Sequence, residues 1–96
     1  MFEKNVDVDG TCLQGHITIS YDELVKVFGE PDDGDGYKTD AEWSGSIDGV
    51  VFTIYNWKNG KNYCGPEGIP TEKIMDWNIG GNSKQAEEIV KKYIWR

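Results

Sequence analysis

Ninety-six residues with a formal net charge of −7 and an isoelectric point near 4.5 describe one small acidic domain with room for a single core. Such a charge repels phosphate backbones and anionic membranes and draws the chain toward basic surfaces, including grooves built to hold nucleic acid, although plain solubility explains the same charge. Four Trp, five Tyr and three Phe give that core volume and argue against disorder.

Residues 1–10 are polar, end in Asp9-Gly10, and read as an arm or a short edge strand. From 11 to 19 the apolar residues alternate, with Leu13, Ile17 and Ile19 on one face and Cys12, Gln14, His16 and Thr18 on the other, which predicts a half-buried strand. Ser20 and Glu23 then form a capping box. Leu24, Val25 and Phe28 supply the apolar stripe of a short helix, Gly29 ends it, and Pro31 prevents its resumption. Residues 30–40 form an acidic, glycine-rich loop.

Residues 41–47 and 50–57 predict two strands joined by the Asp48-Gly49 hairpin turn. The second has apolar residues on both faces, as a central strand would. A long surface loop follows over 58–70. Residues 72–79 predict a fourth strand, with Met75, Trp77 and Ile79 on one face. Gly80-Gly81-Asn82-Ser83 is expected to break it and cap a last helix, whose inner stripe is Ala86, Ile89, Val90, Tyr93 and Ile94. The order predicts one α+β domain over 1–96: an antiparallel sheet of about four strands with two helices packed on one face. Its second face, carrying some aromatics, would need a partner or loop cover.

Little catalytic chemistry is legible. The one histidine, His16, shares a strand face with Cys12 but lies four residues away, too far for a hydrogen bond. Chance pairs of carboxylates are certain among 17 acids, so pairing alone carries no signal. Two distant cysteines and one histidine lack zinc-ligand spacing. An EF-hand register with Asp33, Asp35 and Glu42 as ligands would put Pro31 at the first position, where it cannot coordinate. Neither Gly10–Gly15 nor Gly80-Gly81 forms a P-loop, though the second pair could leave free backbone N–H groups for an anion. No metal, cofactor or catalytic residue is expected, and direct nucleic-acid binding is disfavoured by charge.

No stretch approaches the roughly 18 apolar residues of a membrane helix, and Met1 to Asn5 lacks the pattern of a secretory leader. With only two cysteines, the expectation is an intracellular protein with free thiols, a Cys12–Cys64 bridge staying open. The remaining feature is charge placement. Asp32, Asp33, Asp35, Asp40 and Glu42 crowd one segment, with Glu30 before them and Asp7 and Asp9 near the first strand. Beside the aromatic anchors Tyr37 and Trp43, these carboxylates could dock in a basic groove.

Several segments occur together in order: Gly10-Thr11-Cys12-Leu13-Gln14-Gly15, Ser20-Tyr21-Asp22-Glu23-Leu24-Val25, Phe28-Gly29-Glu30-Pro31, Tyr37-Lys38-Thr39-Asp40-Ala41-Glu42-Trp43, Thr53-Ile54-Tyr55-Asn56-Trp57-Lys58 and Trp77-Asn78-Ile79-Gly80-Gly81. Across nearly 10–95 this set resembles a group of small accessory proteins encoded by tailed bacteriophages and prophages. The resemblance implies a phage or prophage source more than a mechanism; small proteins of this kind often disarm host defences in the host cytoplasm, for example by blocking a CRISPR effector, and no catalytic residue carries over. Joined to the acidic charge, it gives the expectation of a host defence partner with a basic surface. Two other readings stand beside it. One is a binder that sequesters a nucleotide-like ligand between aromatic faces and the Gly80-Gly81 turn, with Trp77 as a stacking surface. The other is a homodimeric structural or assembly protein joined through the sheet's aromatic face.

Overall fold

The computed structural model describes residues 2–4, 8 and 10–95; the sequence expectations for Asp7 and Asp9 lie outside these. The elements in chain order are β1 (Phe2–Lys4), β2 (Cys12–Thr18), α1 (Tyr21–Phe28), β3 (Asp32–Asp33), β4 (Ala41–Ile47), β5 (Val50–Tyr55), α2 (Lys61–Cys64), β6 (Asp76–Gly81) and α3 (Gln85–Ile94). All strands join one antiparallel sheet of order β1-β4-β5-β6-β2, and β3 pairs with the free end of β4. The protein is α+β, as the sequence implies. Strand β1 gives the 1–10 segment a short edge strand, one of its two expected readings, and with β3, which periodicity cannot detect, raises the strand count from about four to six among the described residues.

Helix α1 begins where the capping box places it. Ser20 Oγ accepts from Glu23 N at 3.1 Å, and Gly29 ends the helix at φ 86° while its N–H donates to Val25 O. The stripe of α1 buries Leu24 and Phe28, and that of α3 buries Ala86 and Val90. Both meet Trp43, Ile47, Phe52, Ile54, Trp77 and Ile79 in one core. Phe28 bridges the layers, 5.3 Å from the Phe52 ring and 5.7 Å from Tyr93. Each buried indole also satisfies its N–H: Trp43 donates to Gly29 O at 2.7 Å and Trp77 to Ile19 O at 3.0 Å.

Three boundaries differ from the sequence expectations. A register shift between Leu13 and Gly15 sets Leu13 opposite Gly80 and leaves it 51% exposed, so strict alternation fails at the first turn of β2. The last strand starts later, after a 3₁₀ turn at Thr71–Lys73, and runs through Gly80 and Gly81 instead of stopping before them. A Cβ at Gly81 would sit 2.4 Å from Ala86 Cβ, so this glycine lets α3 lie close on the sheet. Helix α3 begins at Gln85 with Lys84 at its N-cap, which supplies no side-chain cap, so the cap expected from Gly80-Gly81-Asn82-Ser83 is replaced by Lys84. The 58–70 segment is also more regular than a loop, holding α2, a 3₁₀ turn at Gly65–Glu67 and a parallel bridge between Gly60 and Ile69.

Glu87 locks α3 over β2. Its carboxylate meets Lys84 Nζ at 3.2 Å and Lys91 Nζ at 3.1 Å, and Lys84 Nζ also donates to Gln14 O at 2.7 Å. These lysines hold the Glu87 carboxyl down at about 2. Because the folded-state value lies below that of an unfolded glutamate, the contribution is present above the unfolded pKa and is lost as pH falls from about 4.5 toward 2. Thermal melts at pH 6 and pH 3 should show a smaller acid-induced drop for Glu87→Gln than for the native chain. Equal drops would show that the pair contributes nothing.

Candidate binding surface

The sheet's second face carries a row of directly paired residues that crosses five strands: His16, Asn78, Tyr55, Glu42 and Asp32. His16 is exposed at one end of this row. At the other, the acidic loop folds back over the sheet and is organised from within. Asp35 Oδ1 accepts from the backbone N–H groups of Tyr37 (2.8 Å), Lys38 (2.8 Å) and Thr39 (3.1 Å), while Thr39 Oγ1 accepts from Asp35 N at 2.7 Å. Gly36, at φ 80°, supplies the left-handed residue that this turn requires. The backbone donors from Tyr37 and Thr39 hold the Asp35 carboxyl below its ordinary value.

Asp40 is likewise turned inward. Its Oδ1 accepts from Asn56 Nδ2 at 2.9 Å and its Oδ2 from the N–H of Asn62 at 3.1 Å. Trp43 lies on the helix-covered face at 2% exposure, its ring 5.2 Å from Trp77 in an edge-to-face contact. The sequence reading of Trp43 as a docking anchor is corrected accordingly: alternation along β4 sends it to the core while Glu42 faces the other way. Of the residues picked from the sequence, Asp32, Asp33, Asp35 and Tyr37 are exposed and Glu42 is half-buried. Trp77, at 1% exposure, offers no ring face to a ligand.

To Tyr37, the anchor read from the sequence, the structure adds Trp57 and Tyr63, which the sequence reading passed over. Tyr37, Trp57 and Tyr63 are 56%, 46% and 41% exposed and gather at one end of the sheet. Tyr37 lies 5.2 Å from Tyr63, and Trp57 lies 6.2 Å from Tyr55. Lys38 Nζ is 5.9 Å from the Tyr37 ring and 5.3 Å from Trp57, and Lys58 Nζ is 5.7 Å from Trp57 and 5.4 Å from Tyr63. A backbone bond from Lys58 N to Lys38 O at 2.8 Å ties the two segments together. Period-two reading puts Trp57 on the same face as Tyr55 and Thr53, a signal present in the sequence. Tyr63 sits in a short helix with no periodic signature.

Between this cluster and Val8, Thr11 and Cys12 lies a cleft of about 260 Å³, lined also by Asp35, Thr39, Glu42, Thr53, Tyr55 and Trp57. Burial pushes the Glu42 carboxyl up, and Asp32 and Asp35 add to the rise. Burial also raises the Tyr55 hydroxyl, against the opposing effect of its hydrogen bond with Asn78. Cys12 and Cys64 are both exposed free thiols, and among the described residues no three His, Cys, Asp or Glu side chains converge as a metal site. No described helix is long and apolar enough to cross a membrane. What the geometry defines is an α+β scaffold presenting aromatics, carboxylates and a cleft of mixed polarity on one side. No protein-family model, curated protein or solved structure matches the chain.

Proposed function

We propose that the chain is a phage-type accessory protein that binds a host defence protein stoichiometrically, without turnover, and occludes its basic nucleic-acid groove. The observation that carries this reading is the ordered adjacency of the Asp32-Asp33 strand, the Asp35-organised loop and the exposed rings of Tyr37, Trp57 and Tyr63. Aromatics of this kind anchor protein interfaces, and neighbouring carboxylates steer a basic partner into register. The sequence resemblance to phage accessory proteins supplies the host and the counter-defence role, with a CRISPR effector as one such partner.

The acids that do the steering are the exposed pair on β3, since Asp35 and Asp40 are committed to holding the loop. Asp32→Lys with Asp33→Lys should slow association with a nucleic-acid-binding defence nuclease about tenfold or more at low salt and flatten the salt dependence. Surface plasmon resonance at two ionic strengths reads both effects, and competition with the nuclease's own nucleic acid reads occlusion. An unchanged association rate in the reversed variant rejects the acidic-edge reading.

A further inference from the structure

The cleft itself has an unmet chemistry. Glu42 is half-buried and paired across the strands with Asp32; burial raises its pKa and Asp32 and Asp35 raise it further, and among the described residues its side chain receives no hydrogen bond and no lysine or arginine. On the floor beside it, Thr53 is 4% exposed and makes no side-chain hydrogen bond among the described residues. Among the described residues no fully sealed side-chain oxygen lacks a partner, so the Thr53 hydroxyl opens into the cleft that it lines. The space above it is kept by Gly80, where a Cβ would stand 2.5 Å from Thr53 Oγ1. Tyr55 and Trp57 form the aromatic side of the same cleft, and neither Lys38 nor Lys58 lines it.

We propose that this cleft receives an arginine side chain of a basic partner, its guanidinium paired with Glu42, bonded to Thr53 and laid against the Trp57 indole. Four features select that occupant. An anion held among like charges in a partly desolvated position gains most from a cation. A planar fork with five donors can serve a carboxylate and a hydroxyl together, and it stacks on an aromatic ring. The volume, about 260 Å³, lies below the roughly 300–1,000 Å³ usual for small-molecule pockets, which suits a side chain better than a whole ligand. Finally, the cleft opens beside the aromatic cluster, so one partner can fill both. The assignment rests on the proposed protein-binding role and names the group that role would recognise.

The test uses the full chain and no partner protein. N-acetyl-arginine amide is titrated at constant ionic strength, with backbone NMR shifts and Trp57 fluorescence as readouts. N-acetyl-lysine amide and AMP run in parallel. Saturable shifts confined to Glu42, Thr53, Thr39 and Trp57 are expected with the arginine probe and weaker ones with lysine. Glu42→Gln should bind about tenfold more weakly and Thr53→Val several-fold more weakly. Both substitutions keep side-chain size, and unchanged amide spectra away from the cleft confirm that each variant folds. Equal arginine binding by Glu42→Gln, absence of saturation, or AMP binding there in place of arginine each overturns the assignment. Arginine binding together with an unaltered Asp32→Lys, Asp33→Lys association rate would keep the cleft and reject the acidic edge, so the two failures are distinguishable.

Discussion

Trp77→Ala lowers the unfolding free energy by about 4 kcal/mol, in the range of roughly 3–5 kcal/mol that deleting a buried tryptophan costs. The indole is 1% exposed, makes an edge-to-face contact with Trp43 at 5.2 Å, and lies 6.4 Å from Tyr21 of α1. Its N–H donates to Ile19 O inside the core, so truncation leaves both a cavity and a buried carbonyl without its donor. A domain of this size holds only about 5–15 kcal/mol in total, and the variant should lose much of its urea midpoint. Trp57→Ala provides the contrast. That ring is 46% exposed, and its removal should change stability by less than about 1 kcal/mol. If equilibrium urea unfolding gave similar losses for the two, the division between a structural and a presented tryptophan would fail.

That division shows where the sequence is readable and where it stops. Ser20, Glu23, Gly29 and the stripe from Leu24 to Phe28 are local signals, and α1 forms where they place it. The apolar residues on both faces of β5 correctly mark a central strand, which lies between β4 and β6. Leu13 misleads because a register shift is a property of a pair of strands, and one strand's alternation cannot reveal it. Gly80 and Gly81 read as a break because glycine usually is one. Here each is required by what approaches it, Thr53 Oγ1 in one case and Ala86 in the other.

The candidate surface follows the same rule. Acid crowding around Asp32 and Asp35 is visible in composition, but composition does not say which carboxylates face solvent. Asp35 and Asp40 are consumed by backbone donors within a few residues or across the 58–64 segment, while Glu42 faces the cleft. Tyr37, Trp57 and Tyr63 come from three separate segments and meet only through the tertiary fold.

Beside the Lys58–Lys38 backbone bond and the Asp40–Asn62 contact, the most buried link between those segments is Asn56, and its replacement should have the second large effect. Asn56 is 0% exposed. Its Oδ1 accepts from Asp40 N at 2.7 Å and Ala41 N at 3.2 Å, and its Nδ2 donates to Asp40 Oδ1 at 2.9 Å and Asn59 Oδ1 at 3.0 Å. Both donors and both acceptor positions of the amide are therefore in use. Asn56→Ala leaves four polar groups without that partner and should cost about 3 kcal/mol, given about 1–3 kcal/mol for a buried group left unsatisfied. Asn56→Asp is the sharper probe. It keeps Oδ1 but sets a second oxygen against the Asp40 carboxylate, so burial and like charge raise its folded-state pKa above the unfolded value of about 3.9. Its stability should be best below that value, where the protonated acid can donate to Asp40, and should fall as pH rises through the raised folded value. Urea unfolding of both variants at pH 3.5 and pH 7 measures the two effects, with hydrogen exchange at Tyr37, Trp57 and Tyr63 reporting whether the surface loosens. Protection at those three amides that stays native in Asn56→Ala would mean that the aromatic cluster is held by something other than this amide.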